Sequence, residues 1–226
     1  MAQDYASSIN GVVVRATRLN PDGTVKTGEN NSYVMKSFIS LSFTPEYEDG
    51  EELTQKDASG AVCATFRSPD TLKRVNLELA ICEPDPEFTE LISGGTLLTD
   101  TDGNNTVGWA APEIGVDALP DGVALEVWSN AIQGGKRASS NPYWRWVFPF
   151  ATMRQSGDRV IENGLLANTF EGWAVGNAQF GRGPGGDGAG SPWPHISTRA
   201  YQYARSADTP TPTNGYVTVA APSGEG

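Results

Sequence analysis

The chain has 226 residues, 38% of them hydrophobic and 19% charged, with 26 Gly and 15 Pro, a composition that suits one turn-rich domain. Its formal net charge is −11, from 16 Lys+Arg against 27 Asp+Glu, the reverse of the basic stripe with which a nucleic-acid binder neutralises phosphates. Cys63 and Cys82 supply neither a disulfide framework nor a zinc site. The N-terminal MAQDYASSIN lacks the basic and apolar regions of a signal peptide, and no apolar run approaches a membrane span, so a soluble product made in the cytoplasm is expected.

Alternation of apolar and polar residues begins early. GVVVRATRL (11–19) reads as a strand, and SFISLSF (37–43) puts Ile39, Leu41 and Phe43 on one face and Ser40 and Ser42 on the other. A long acidic loop follows, spanning 44–58 at its widest. In its centre, PEYEDGEELTQKD, six carboxylates (Glu46, Glu48, Asp49, Glu51, Glu52, Asp57) against Lys56 give a local net of −5. Both a solvated loop and an arm that docks on basic groups of a neighbouring subunit fit this pattern; such an arm could order only on assembly. AVCATFR (61–67) and TLKRVNLELAIC (71–82) flank the turn triplet Ser68-Pro69-Asp70. With Pro69-Asp70 as a hairpin loop, Val62 faces Leu77 and Ala64 faces Val75. The polar face then pairs Cys63 with Asn76, Thr65 with Arg74 and Ala61 with Glu78. In that register the two cysteines lie roughly 20 Å apart at about 3.3 Å per residue, so two free thiols are expected.

One helix stands out, over about 85–93. Glu83 and Asp85 each precede a proline, which keeps both out of the α region. Asp85 is placed as N-cap, Pro86 as first helical residue and Glu87 as a favourable first-turn charge. Phe88, Leu91 and Ile92 form one apolar stripe that must lie on a sheet, Glu90 points away from it to solvent or a neighbour, and Gly94-Gly95 stop the helix. Further strands are expected at 122–129, 143–150, 168–175, 199–206 and 215–220, with loops at 100–105, 134–142 and 181–194 and an extended C-terminal arm over 206–226.

Few residues offer chemistry. His195 is the only histidine, and no nucleophile elbow accompanies it. Gly183–Gly188 matches G-x-G-x-x-G, but Ala189-Gly190-Ser191-Pro192 cannot open a helix after it, so a glycine-rich surface loop is the simpler reading. Asp100–Asn105 has calcium-loop residue types without the EF-hand spacing, and a polar turn accounts for it. With 27 acids, carboxylate pairs for glycoside hydrolysis arise by number alone. Trp144 and Trp146 alternate with Phe148 and Phe150 on one strand face, which reads as core or interface, or as a sugar-binding platform. No cofactor, metal or catalytic residue is expected, and the chain reads as a non-enzyme.

The ordered strings AVCATFRSPDTLKRVNLELAIC, CEPDPEFTELISGGTLL, GVALEVWS, NPYWRWVFPFATM and ENGLLANTFEGWAVGN, after a long acidic insertion, resemble the major tail proteins of long-tailed phages that infect actinobacteria. The likeness runs from about residue 10 to 205. It implies a mainly β tail-tube fold over 1–205, an antiparallel β-sandwich or partly rolled barrel with one flanking helix, followed by the 206–226 arm. It also implies hexameric rings, self-assembled and stacked into a virion tail tube for DNA ejection. DNA would pass through without specific binding, and the other partners would be tape measure, tail tip and terminator proteins, with no membrane contact. On that basis Glu46, Glu48, Asp49, Glu51, Glu52 and Asp57 are candidates for contacts between subunits or rings. The hairpin face carrying Thr65, Arg74, Asn76 and Glu78 is a candidate lumen or subunit surface. The alternative function is a carbohydrate-binding β-sandwich module using the Trp-rich strands.

Overall fold

The computed structural model describes residues 6–36, 38–103, 105–119, 121–157, 168–184, 195–196, 198–210 and 214–220. In chain order they form β1 (Ser7–Arg18), β2 (Gly28–Met35), β3 (Phe38–Glu48), β4 (Glu52–Lys56), β5 (Val62–Arg67), β6 (Thr71–Ile81), α1 (Pro86–Ser93), β7 (Thr96–Thr99), β8 (Thr106–Ala110), β9 (Val123–Gln133), β10 (Lys136–Arg137), β11 (Tyr143–Ser156), β12 (Asn168–Val175), β13 (Gln202–Ser206) and β14 (Gly215–Val219). The fold is mainly β and antiparallel, as the alternating sequence demands. One large sheet runs β14-β2-β1-β9-β11-β12-β6-β3, with β10 added to β9 and β13 to β11. It rolls around a core without closing into a barrel.

The roll turns on β11. Its first part, Tyr143–Val147, lies between β9 and β13, and its second, Phe150–Ser156, pairs with β12. The ladder to β9 is interrupted between Phe148 and Ala151, around Pro149, which has no N–H to donate. One block is therefore β14-β2-β1-β9-β11-β13 and the other is β11-β12-β6-β3. Val14, Met35, Leu125 and Phe148 from the first meet Leu77, Leu79, Met153 and Phe170 from the second in one buried cluster.

The helix closes that cluster. Phe88, Leu91 and Ile92 are fully buried, as their spacing requires. Asp85 is extended (φ −116°, ψ 107°) and accepts the Phe88 N–H at 3.0 Å, and Gly94 ends the helix at φ 73°. The second oxygen of Asp85 accepts the Tyr33 hydroxyl at 2.6 Å, tying the helix start to β2. Glu90 does not face solvent or a neighbour; it pairs with Arg18 of β1.

The far side of the first block carries buried charge. Arg15 donates to Glu126 at 2.6 Å and Arg145 at 2.8 Å, and all three are 6% exposed or less. Both guanidiniums lie over the buried Trp128 ring, at 5.2 and 5.9 Å. Burial raises the Glu126 pKa, but the attraction of Arg145 and Arg15 outweighs it and holds the group ionised.

Three expectations are corrected. The hairpin joining 61–67 to 71–82 does not form. β6 lies between β3 and β12, where Leu79 stands between Leu41 and Phe170 and Leu77 is opposite Phe43, in the buried core. β5 pairs with β4 instead. Cys63 and Cys82 are free and exposed, as expected, but Cys63 lies on β5 and Cys82 in the bend after β6, not in the expected register. The 45–57 segment is not a loop awaiting assembly: Pro45–Glu48 belongs to β3 and Glu52–Lys56 is β4. Within the segment after 206, β14 forms where a strand was expected over 215–220, and it pairs with β2.

Replacing Glu126 with Gln strands two buried cations. The expected loss is about 3–5 kcal/mol of unfolding free energy, to be read from urea denaturation.

Candidate functional site

The second block has one face in the core and one outside. Strand alternation puts Leu77, Phe43 and Met153 inward, so their neighbours face out. The ladder aligns Ser42, Glu78, Glu171 and Arg154 in one row across β3, β6, β12 and β11, and Thr44, Asn76, Trp173 and Thr152 in the next. These two rows floor an open polar groove.

Charges on this face are mostly paired. Arg154 meets Glu171 at 2.8 Å. Glu46 accepts from Arg74 at 2.7 Å and Asn76 at 3.1 Å, with Lys73 at 3.3 Å. Those donors, Arg74 first, hold the Glu46 carboxyl down at about 2. Glu78 stands across from Glu171 and makes no ion pair among the described residues. The face thus presents three carboxylates and two guanidiniums, spread over four strands.

Arg74, Asn76 and Glu78 converge here as expected from the sequence. Thr65 does not: it lies on β5, opposite Thr54. Glu171, Trp173 and Arg154 complete the face and were not singled out by sequence. The alternation in NTFEGWAV carried the signal for the first two, but which strand lies beside β6 is a tertiary fact.

The six acidic candidates separate. Glu46 is in the sheet. Glu48 ends β3 opposite Thr71. Glu52 faces Arg67 on the β4–β5 hairpin. Asp57 shapes that hairpin's turn, accepting the N–H groups of Ser59 and Ala61 at 2.8 and 2.9 Å. Asp49 and Glu51 flank Gly50 at the crossing where the hairpin leaves the block. There Asp70 accepts the Gly50 N–H at 2.9 Å, which lowers its own pKa, and the Ser68 N–H reaches Glu51 at 3.0 Å. A Cβ on Gly50 would lie 1.7 Å from the Ser68 carbonyl oxygen, so this crossing admits only glycine.

The remaining candidates find structural places. Asp100–Asn105 is a hairpin turn between β7 and β8, with Asn105 donating to Asp100 at 2.7 Å. No group of three His, Cys, Asp or Glu able to hold a metal occurs among the described residues. His195 is exposed, and most of the glycine-rich run lies outside the described residues. Trp146 sits between Phe43 and Tyr203, and Trp144 meets Tyr203 edge to face under Arg205. No helix among the described residues is long and apolar enough to cross a membrane. No family model matches the chain, and no curated protein matches it in sequence.

Two outcomes are expected. Gly50→Ala should loosen the crossing by about 1–3 kcal/mol, seen as faster tryptic cleavage at Lys56 and Arg67 with an unchanged global unfolding midpoint. Glu46 has a depressed folded pKa, so its contribution is present above the unfolded value of 4.5 and is lost as pH falls through about 2. An NMR titration should place its midpoint there, and Arg74→Ala should return it toward 4.5.

Proposed function

We propose that this chain is a self-assembling tail-tube subunit: copies join edge to edge into rings, and rings stack into a hollow conduit. The observation that carries this reading is the second block. Its outer strands, β3 and the Thr152–Ser156 part of β11, have no ladder partner on their outward sides among the described residues. The four strands alternate in direction, so the β3 edge of one copy and the β11 edge of the next run antiparallel. They can extend a single ladder without reversing any chain.

Long unpaired edges invite pairing, and a contact between two different edges, repeated by rotation, closes into a ring. Such a ring pairs both open edges of the second block in every copy. It also gives the polar rows one common side. That side pairs its guanidiniums internally and leaves Glu78 over, a surface poor at binding phosphate and so fit for passing DNA. The sequence resemblance to phage major tail proteins supplies the sixfold count, the virion location and the tape measure, tip and terminator partners. The function is structural and needs no cofactor.

Electron microscopy of concentrated protein should show rings or tubes. Amide hydrogen exchange over Thr152–Ser156 should be fast in the monomer and slowed in the tube, where the β3 edge of the next copy takes the outward ladder positions. Tubes in which those amides exchange as fast as in the monomer count against the edge assignment. A chain that stays monomeric under all conditions removes the whole reading.

A further inference from the structure

The loop between β8 and β9 carries an apolar tip that its own molecule leaves bare. Ile114 is fully exposed and Val116 is 60% exposed. The tip stands on a fixed turn. The Val116 N–H donates to the Glu113 carbonyl at 3.3 Å, and Asp117 accepts the Leu119 N–H at 3.2 Å. A Cβ on Gly94 would lie 2.2 Å from the Ala118 carbonyl oxygen, so the base of the loop is pressed against the end of α1. Two branched apolar side chains held out together on so short a turn call for a partner.

The start of β3 offers a matching recess. Ile9, Phe38, Ile39, Leu41, Val127 and Trp146 line a cavity of about 310 Å³ between the start of β1 and the start of β3. Ile9 and Ile39 are 45% and 58% exposed, so the cavity opens to solvent. An apolar cavity of ~150 Å³ already admits benzene, and this one has room for a branched side chain. Its origin is local. β1 slips register on either side of Gly11, with Asn10 in the left-handed region at φ 50°, and the Phe38 ring lies against Gly11, where no Cβ would fit.

Tip and recess stand at the same height on opposite edges of the second block. One row of the ladder runs Leu41, Leu79, Phe170 and Gln155 across β3, β6, β12 and β11. Leu41 lines the recess. Gln155 and Met153 share a second cavity, of about 330 Å³, with Pro112, Ala118 and Leu119 of the loop. Leu41 and Met153 face the core, so both features lie on the side of the block away from the polar rows. Three strand spacings, roughly 14 Å at about 4.8 Å each, separate the two edges, with the packed core between them, so the tip does not reach the recess of its own molecule. Charge is complementary as well. Residues 111–122 hold Glu113, Asp117 and Asp121 and no Lys or Arg, whereas Lys36, exposed, stands two residues before Phe38.

We infer that the Ile114–Val116 tip of one copy seats in this recess of the next copy round the ring. The inference rests on the self-assembly reading and adds a site to it: where the β11 edge of one copy meets the β3 edge of the next, the loop beside the first edge meets the cavity beneath the second. Tip and recess are different surfaces, so the contact is heterologous and repeats at every seam until the ring closes. It also supplies what the ladder lacks. Backbone hydrogen bonds form equally well in several registers, but a slip of two residues, about 7 Å, carries Ile114 off the recess. The tip therefore selects which stretch of β3 pairs with β11.

The test uses the full chain with Cys63→Ser and Cys82→Ser. Ile114→Cys and Ile39→Cys copies with different tags are mixed, assembled and treated with a short bismaleimide. A mixed dimer is expected in the assembled fraction and not in the monomer. Assemblies in which every copy carries Ile114→Cys should give none, because tips face recesses and not one another. Ile114→Asp with Val116→Asp should raise the concentration needed for assembly about tenfold or more, with the unfolding midpoint of the monomer unchanged, since both side chains already stand in water there. Assemblies that protect the Thr152–Ser156 amides but give no Ile114–Ile39 cross-link, or that tolerate the double Asp variant, overturn the inference and leave the ring reading standing. A chain that never assembles overturns both.

Discussion

The two blocks of the large sheet are joined through one strand, β11. This one strand pairs with β9 and β13 near its start and with β12 near its end, and the break sits at Pro149, where the backbone has no hydrogen to give. The bend directs two blocks at each other and creates the core between them. It also strips β9 from the last five residues of β11, which makes the second block a four-stranded unit with two open sides. A fold that needed only a core could have extended β9; the open edge is a separate property, and the proposed ring depends on it.

Polarity is layered in the same way. The core-facing sides of both blocks are apolar, the outer side of the second block is charged and wet, and the outer side of the first is charged and dry. Arg15, Glu126 and Arg145 occupy that dry layer, where no water can replace a lost partner. The groove charges around Glu46 and Glu171 are exposed, so each ion pair there contributes little to stability. The two sets share chemistry and differ in role.

Much of the architecture was legible in the sequence because it is local. The α1 boundaries, its cap and its buried stripe follow from Asp85, Pro86 and the spacing of Phe88, Leu91 and Ile92. The strands with strong alternation, such as 143–150 and 168–175, were equally plain. Pairing was not, because it is decided by what large side chains meet across the core. The 61–67 segment alternates well, yet β6 takes β3 and β12 as its neighbours and 62–67 pairs with β4. GENNSYVM became β2 although its first half is polar, since Tyr33, Val34 and Met35 are buried and Asn30 takes a positive φ of 58°. The polar face was half visible for the same reason: Arg74, Asn76 and Glu78 share a strand, whereas Glu171 and Arg154 join them only through tertiary pairing.

The pairing of β1 with β9 has a consequence for synthesis. Val14 lies opposite Val127, so the first strand made waits for more than a hundred residues before its main partner exists. At about 5–20 residues per second on the ribosome, that delay is on the order of ten seconds. Until then β1 has only β2 beside it, and the polar first half of β2, with its Asn pair, is a poor template for stray strands. The edge of β1 that later receives β9 stays open through that interval, because β2 pairs on its other side.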